Sequence, residues 1–428
     1  MILRDPVHGI LAFEDEESSI IVRLLRTREV QRLRRIRQLG VTNLAYPGAE
    51  HTRFAHALGA AHVMQRLLLR LRQIDGDLPF WQRVSSDRAS DALSAALLHD
   101  IGHGPLSHLF ESALPSLPPH EAWSTRMLLD PSTEVHAVLA QDDPGRPARV
   151  AELVEGRHEL PYLARAVSGT FDVDRCDYLL RDAHSTGVKH GHFDLDWVLR
   201  SLRFGLSDTG PPSLALDGQK GLVAIEEFVL ARLFMFQQVY FHKATRAAEW
   251  MIREALRLAV LRLAAGDRLE LVPPGVAAAA HGATLSLDDY LELDDTAIWS
   301  ALHAWESAAH PVLRDLCGRI RRRELFKTFE LFGDAREPEN VTRALGIARD
   351  IASAHGLSPD HHVGVDIADD VPFDEADDPP LVVFSKGPPR PLGEVSFLLS
   401  RLRGERIRKV RIVFAKELRE PLSNALSS

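Results

Sequence analysis

The sequence predicts a mainly α fold that opens on a short β-hairpin and closes on a small α+β lobe. Three observations carry that prediction. Apolar residues recur at helical spacing through most of residues 1–265. A Pro- and Gly-bearing apolar segment, DPVHGILAFE at 5–14, precedes the first helix. Runs rich in β-branched residues gather late, in HHVGVDI, LVVFSK and KVRIVFA.

Taken in order, residues 5–14 read as an extended hairpin because Pro6 and Gly9 disfavour a helix. From Ser18 to Leu39 the residues Ile20, Ile21, Leu24, Leu25, Val30, Leu33 and Ile36 recur at helical spacing, with room for one break. Helices are expected over 54–74, 88–101, 120–140, 146–155 and 160–184, with Gly and Pro clusters between them. A short strand or two precedes a further helical block at 221–265, and SLDDYLEL and AIWSALHAW continue as shorter helices. DIADDVPFDEADDPP, at 366–380, reads as an exposed acidic loop between strands. GEVSFLLSRLR reads as a helix between the last two strands, and the tail LSNALSS as frayed. These elements divide into a core at 1–265, a helical extension at 266–335 and an α+β lobe at 336–428, with no internal repeat.

Composition excludes several classes. With 45% hydrophobic and 26% charged residues the chain buries a large core. It has no apolar run long enough for a membrane span and no signal-peptide stretch at MILRDPVHG, so a cytoplasmic location is expected. Cys176 and Cys317 are its only cysteines, which leaves histidine to do any metal chemistry. The net charge of −9 argues against a general polyanion binder. Arg26, Arg28, Arg32, Arg34, Arg35 and Arg37 nevertheless form a local basic segment, which reads equally as a regulatory anion site, an oligomer contact or a solvated face.

The chemistry concentrates in LLHDIGHGPLSH, at 97–108. An apolar helix there presents His99 beside Asp100, with His103 one helical turn on and His108 after it. Imidazole and carboxylate together suit divalent cations. Alone, such a pair is more often a structural histidine beside a capping Asp. Upstream, however, HTRFAHALG places Arg53 and His56 at the start of another helix, and downstream DVDRCDYLLRDA spaces Asp174, Tyr178 and Asp182 every four residues along one stripe.

The order His, His-Asp, Asp is the HD-superfamily pattern. Together with DPVHG, QRLRRIRQLG, PPHEAWS, VYFHK and ELFK in sequence order, the chain resembles the SAM-and-HD-domain deoxynucleoside triphosphate triphosphohydrolases and their bacterial relatives over nearly its whole length. The resemblance implies an HD helical core that adds water at the α-phosphate and releases deoxynucleoside and intact triphosphate. It implies one divalent ion per site, whether Mn, Fe, Zn or Mg, held by His56, His99, Asp100 and Asp174, with a further Mg accompanying the triphosphate. His103, His108 and His120 would surround the phosphates, with His108 as general acid and Glu111 or Glu121 orienting a histidine. Arg53, Arg175, Tyr178 and Arg232 map onto triphosphate contacts, Gln38 and Asp182 onto the 3′-hydroxyl, and Tyr240 onto the ring that crowds a 2′-hydroxyl.

The same resemblance implies a homo-oligomer, dimer or tetramer, and a nucleotide activator at a site that Gln31 and Arg34 fit. Arg26 stands where a guanine-reading acid is expected there, Phe236 replaces a histidine near the substrate, and no SAM-like module precedes the hairpin. Two other readings stay open. The same centre would serve another phosphoester, such as a nucleoside monophosphate or signalling nucleotide, or the basic segment would make this a nucleic-acid-binding or nucleotide-sensing protein.

Overall fold

The computed structural model describes residues 1–205, 211–375 and 379–426. It is mainly helical, as expected, and its departures come from turn chemistry overriding periodicity. The hairpin pairs Ile2–Asp5 with Gly9–Ala12, so DPVHG forms its turn rather than its first strand. The reason is local: the Asp5 carboxylate accepts the backbone N–H groups of Val7 and His8 at 2.9 and 3.0 Å, and Gly9 takes the left-handed φ of +79° that closes the turn.

Capping sets the helices that matter. Thr52 caps Arg53–Ile74, and Ser85 caps Ser86–Leu98. The second helix stops at Leu98, so Asp100 and His103 lie on a tight turn beyond it and not on a continuing helix, correcting the expectation for 88–101. Gly102 permits that turn, since a Cβ there would stand 2.2 Å from the His120 carbonyl oxygen. The expected 120–140 helix divides into His120–Leu129 and Glu134–Ala140, the latter restarted by a Thr133 cap after Pro131. The 160–184 helix divides into Pro161–Val167 and Val173–Thr186, restarted by Asp172, whose side chain accepts the Arg175 N–H at 2.7 Å. The 221–265 block divides into Leu222–Met235 and Lys243–Ala264 around one π-helical turn, Phe236–Tyr240. Residues 18–39 form Ser19–Leu24, Arg28–Arg32 and a 3-10 turn.

The helix Arg53–Ile74 packs between Ser86–Leu98 and Val173–Thr186, bringing the three motif-bearing helices together in one buried core. Two sheets flank it. In the first, Leu202–Gly205 pairs with Ser213–Asp217, which pairs in parallel with Leu381–Val383, followed by Arg390–Pro391. In the second, Ile407–Phe414 lies between Lys327–Leu331 and Val363–Asp370. The helices Pro338–Ala354 and Arg419–Leu426 pack on that sheet around their own apolar cluster.

The C-terminal region therefore differs from its expected outline. LVVFSK contributes a strand to the core's sheet, and the lobe's sheet takes a strand, Lys327–Leu331, from before residue 336. Residues 366–370 extend a strand instead of starting a loop, GEVSFLLSRLR yields only Leu392–Val395 and Leu399–Leu402, and the tail is helical to Leu426. Ala376, Asp377 and Asp378 of the acidic segment lie outside the described residues. No helix among the described residues is long and apolar enough to cross a membrane.

Candidate metal centre and substrate cavity

Three segments distant in sequence converge on one point. His56 Nε2 lies 3.2 Å from His99 Nε2 and 3.0 Å from Asp174 Oδ1, and His99 Nε2 lies 3.4 Å from the same Asp174 oxygen. Asp100 stands at the rim, its Oδ1 3.5 Å from His99 Nε2 while its other oxygen accepts a hydrogen bond from Arg53. His56 is fully buried, which opposes its charged form, yet hydrogen bonds to Asp174 and Asp177 outweigh burial and hold its pKa up at about 10. Two imidazoles and carboxylates aimed at one point thus favour a positive charge there, and the donor set fits a divalent cation.

A second layer fixes that set. His56 Nδ1 is 2.8 Å from Asp177 Oδ2, and His99 Nδ1 is 2.9 Å from the Ala96 carbonyl, so both Nε2 atoms point inward as a ligand pair requires. Asp177 is itself held by Arg181, at 2.8 and 2.9 Å, and by His8 at 2.7 Å, while Arg181 reaches Asp5 at 2.7 Å. These four residues were not singled out as site residues from sequence. The signal was present in DPVHG and in the spacing of Asp177 from Arg181, but an acid and a base four apart on a helix usually mark a surface pair.

A histidine wall adjoins the cluster. His103 stacks on His120 with ring centroids 3.8 Å apart, and His108 stands 5.0 and 5.2 Å from the two. Burial, together with repulsion from Arg53, pushes the His103 pKa well below its usual value and keeps that ring neutral. Glu111 accepts from His120 Nδ1 at 2.9 Å and approaches His108 at 3.8 Å. Burial opposes its ionisation, but those histidine contacts prevail and hold it well below the usual carboxylate range. Glu121 is 3.3 Å from His120 but largely exposed, so Glu111 is the orienting partner the geometry favours. Leu106 and Ser107, just before His108, adopt left-handed φ values of 55° and 57°, backbone strain of a kind that gathers at functional loops.

A cavity of about 540 Å³ opens from this wall. Arg53, His108, Tyr178, Gln38, Asp182 and Tyr240 all line it. Tyr240 donates to Asp182 at 2.8 Å, and Asp182 also bonds His51 at 2.8 Å. Arg175 and Arg232 are not brought into this space. They line a neighbouring pocket, where Arg175 is paired with Asp172 and Arg232 with Asp370 at 3.2 Å. Gln31 and Arg34 lie apart from the cavity, bonded to each other at 2.9 Å, with Arg34 over the Phe54 ring.

The basic segment resolves largely into internal pairs. Arg35 meets Asp294 at 2.5 Å, Arg37 meets Glu50 at 2.5 Å, and Arg28 meets Asp288 at 3.1 Å. Arg32 is buried and donates to the His103 carbonyl at 2.9 Å, so it braces the motif turn.

Known proteins resemble this chain in sequence and fold. Residues 53–182 match the HD domain family and residues 194–269 the HD associated region. The uncharacterized protein YwfO of Bacillus subtilis is 33% identical over 424 residues, spanning 97% of this chain and 92% of that protein. The chain belongs to the HD superfamily of phosphohydrolases. Deoxynucleoside triphosphate triphosphohydrolase SAMHD1 of Gallus gallus is 28% identical to this HD protein over 399 residues, 82% of the chain and 60% of the relative. A solved phosphohydrolase from Bacteroides thetaiotaomicron superimposes with a TM-score of 0.81 at 27% identity, covering 97% of this chain and 99% of that one.

Proposed function

We propose that this HD protein hydrolyses deoxynucleoside triphosphates to deoxynucleoside and inorganic triphosphate at a divalent cation held by His56, His99, Asp100 and Asp174. One observation carries the reading: a single cavity brings His108 and Arg53, the latter bonded to Asp100, together with Gln38, Asp182 and Tyr240, a set suited to a sugar. When bound, the cation supplies Lewis-acid polarisation and a lowered pKa for water. The residues do the rest. His108, with Glu111 behind it, protonates the leaving 5′ oxygen as the bond from α-phosphorus to that oxygen breaks. Neutral His103 and Glu111-held His120 accept and donate hydrogen bonds around the phosphate, while Arg53 contributes charge.

Asp182 accepts a hydrogen bond from the sugar's 3′-hydroxyl with Gln38 beside it, and Tyr240 crowds the space a 2′-hydroxyl would need. Arg175, Arg232 and Tyr178 serve the outer phosphates, which requires a phosphate to displace Asp370 from Arg232. A homo-oligomer and a nucleotide activator near Gln31 and Arg34 belong to the same reading, which the likeness to SAMHD1 supports.

One observation favours a second reading. Because Arg175 and Arg232 are paired with carboxylates outside the main cavity, a smaller phosphoester, such as a nucleoside monophosphate, would be served by Arg53 and the histidines alone. Polynucleotide binding has less support, since the exposed arginines named above already have acidic partners.

The test is product analysis with manganese and each deoxynucleoside triphosphate, singly and mixed, beside the ribose counterparts. Deoxynucleoside plus triphosphate is the expected outcome. Release from nucleoside monophosphates alone would favour the second reading, and activity confined to mixtures would reveal the activator. Asp174→Ala should abolish turnover while keeping the far-UV circular dichroism of the native protein, and full activity in that variant would sink the ligand assignment.

A further inference from the structure

The wall of the cavity farthest along the chain from the metal motifs is the helix Lys243–Ala264, which contributes, besides Arg246, the trio Thr245, Glu249 and Arg253. These three are four residues apart and so form one stripe. The helix otherwise packs inward with Ala247, Ala248, Trp250, Met251 and Ile252, so the stripe is its polar departure at the cavity.

Two of the three polar groups lack partners. Arg253 is half-buried, burial lowers its pKa, and its guanidinium has no hydrogen bond or ion pair among the described residues. Thr245 is buried, and its hydroxyl has no partner either. Buried donors of this kind are normally satisfied, and each exception calls for an explanation. Glu249, by contrast, is held in place by Arg246 at 2.9 Å, and Arg246 is anchored on Asp366 at 2.6 and 2.9 Å. Aromatic rings line the same cavity: Phe236 is 4.9 Å from Tyr240 and 5.5 Å from Phe241. Flat apolar faces followed by a polar edge are what a nucleobase requires.

The geometry points to Glu249 and Arg253 as the residues that read the base of the substrate, with guanine as the base they fit. A carboxylate accepts from the N1–H and N2–H groups of guanine, while an arginine donates to its O6 and N7 acceptors, and no other common base offers both edges. Adenine would turn its amino group toward the arginine, and the pyrimidines lack the N7 acceptor. This inference rests on reading the cavity as a deoxynucleotide site.

Base recognition is therefore tested without hydrolysis. The four deoxynucleosides, which lack phosphate, are titrated by calorimetry into the full-length protein and into the Arg253→Met and Glu249→Gln variants. Because Arg253 has no partner to lose, Arg253→Met is expected to fold normally, and it keeps the test meaningful should Glu249→Gln disturb Arg246. Deoxyguanosine should bind more tightly than the other three by roughly 5- to 150-fold, and the gap should close in Arg253→Met. Equal binding of the four, no binding of any, or a gap that survives Arg253→Met overturns the assignment. Product analysis is separate: deoxyguanosine selectivity without triphosphate release would keep base reading and reject the triphosphohydrolase reading, whereas triphosphate release without selectivity would do the reverse.

Discussion

Asp177 shows how much of a metal site lies behind its ligands. It is fully buried and shared by His56, His8 and Arg181, so one carboxylate orients a candidate ligand and neutralises a buried guanidinium. Asp177→Asn should weaken metal binding by about 10- to 100-fold and cost on the order of 3–5 kcal/mol of stability, because Arg181 loses part of its compensation. Metal titration and chemical denaturation of the purified variant check the two effects separately; unchanged metal affinity would reject the orienting role. His62 gives a pH prediction. Burial, then repulsion from His8 and Arg66, lowers its pKa to about 4. The unfolded chain binds that proton between pH 6.5 and 4 and the folded chain does not, so stability falls as pH drops through this window. In His62→Gln that part of the fall in Tm should disappear. The candidate ligands themselves were legible in the sequence because few residue types bind divalent ions. Their supports were not, because Asp177 and Arg181 are unremarkable until burial is known.

Where helices stop matters as much as where they run. Periodicity located the helices at 54–74 and 146–155 nearly to the residue, since the first is a long run capped by Thr52 and the second a short one opened by Gly145 and a first-turn Pro147. It missed the breaks at Leu98, Asp130 and Val167, where a glycine, a proline or a fresh N-cap outweighs apolar spacing. Those breaks aim the site. The stop at Leu98 lets Asp100 approach His99 and His103 stack on His120, and the Asp172 cap restarts the chain so that Asp174 enters in the first turn. Close packing adds a constraint. Gly59 lies where a Cβ would come within 1.8 Å of Asp177 Oδ1, and Gly102 where one would come within 2.3 Å of the Ser124 nitrogen. Gly102→Ala meets backbone, which cannot swing aside, so it should displace the His120 helix and lower both turnover and Tm. A variant with native kinetics would show that the turn tolerates a side chain.

At the scale of the molecule, the lobe and the core share charged groups near the substrate cavity. Arg411 is buried, bonds Asp366 at 3.3 Å and donates to the Phe241 carbonyl at 2.8 Å, while Asp366 also holds Arg246. Arg411→Met should destabilise the protein by about 3–5 kcal/mol, since it leaves Asp366 with one cation fewer in a buried setting. It should also raise KM more than it lowers kcat, because Phe241 lines the cavity and makes no contact with the metal cluster. Steady-state kinetics with the best substrate decides between that pattern and a purely structural one. None of this was legible in sequence: the late strands were recognised by their β-branched residues, but strand partners are chosen by long-range geometry, and LVVFSK carries no mark of the sheet it joins.

The parallel pairing of Leu381–Val383 with Ser213–Asp217 has a thermodynamic consequence. A strand from the last fifth of the chain completes a sheet begun near its middle, so the C-terminal region cannot melt away and leave that sheet whole. Residues 381–383 should therefore unfold together with the core's sheet, and hydrogen exchange should give Val382 and Leu216 backbone amides the same protection.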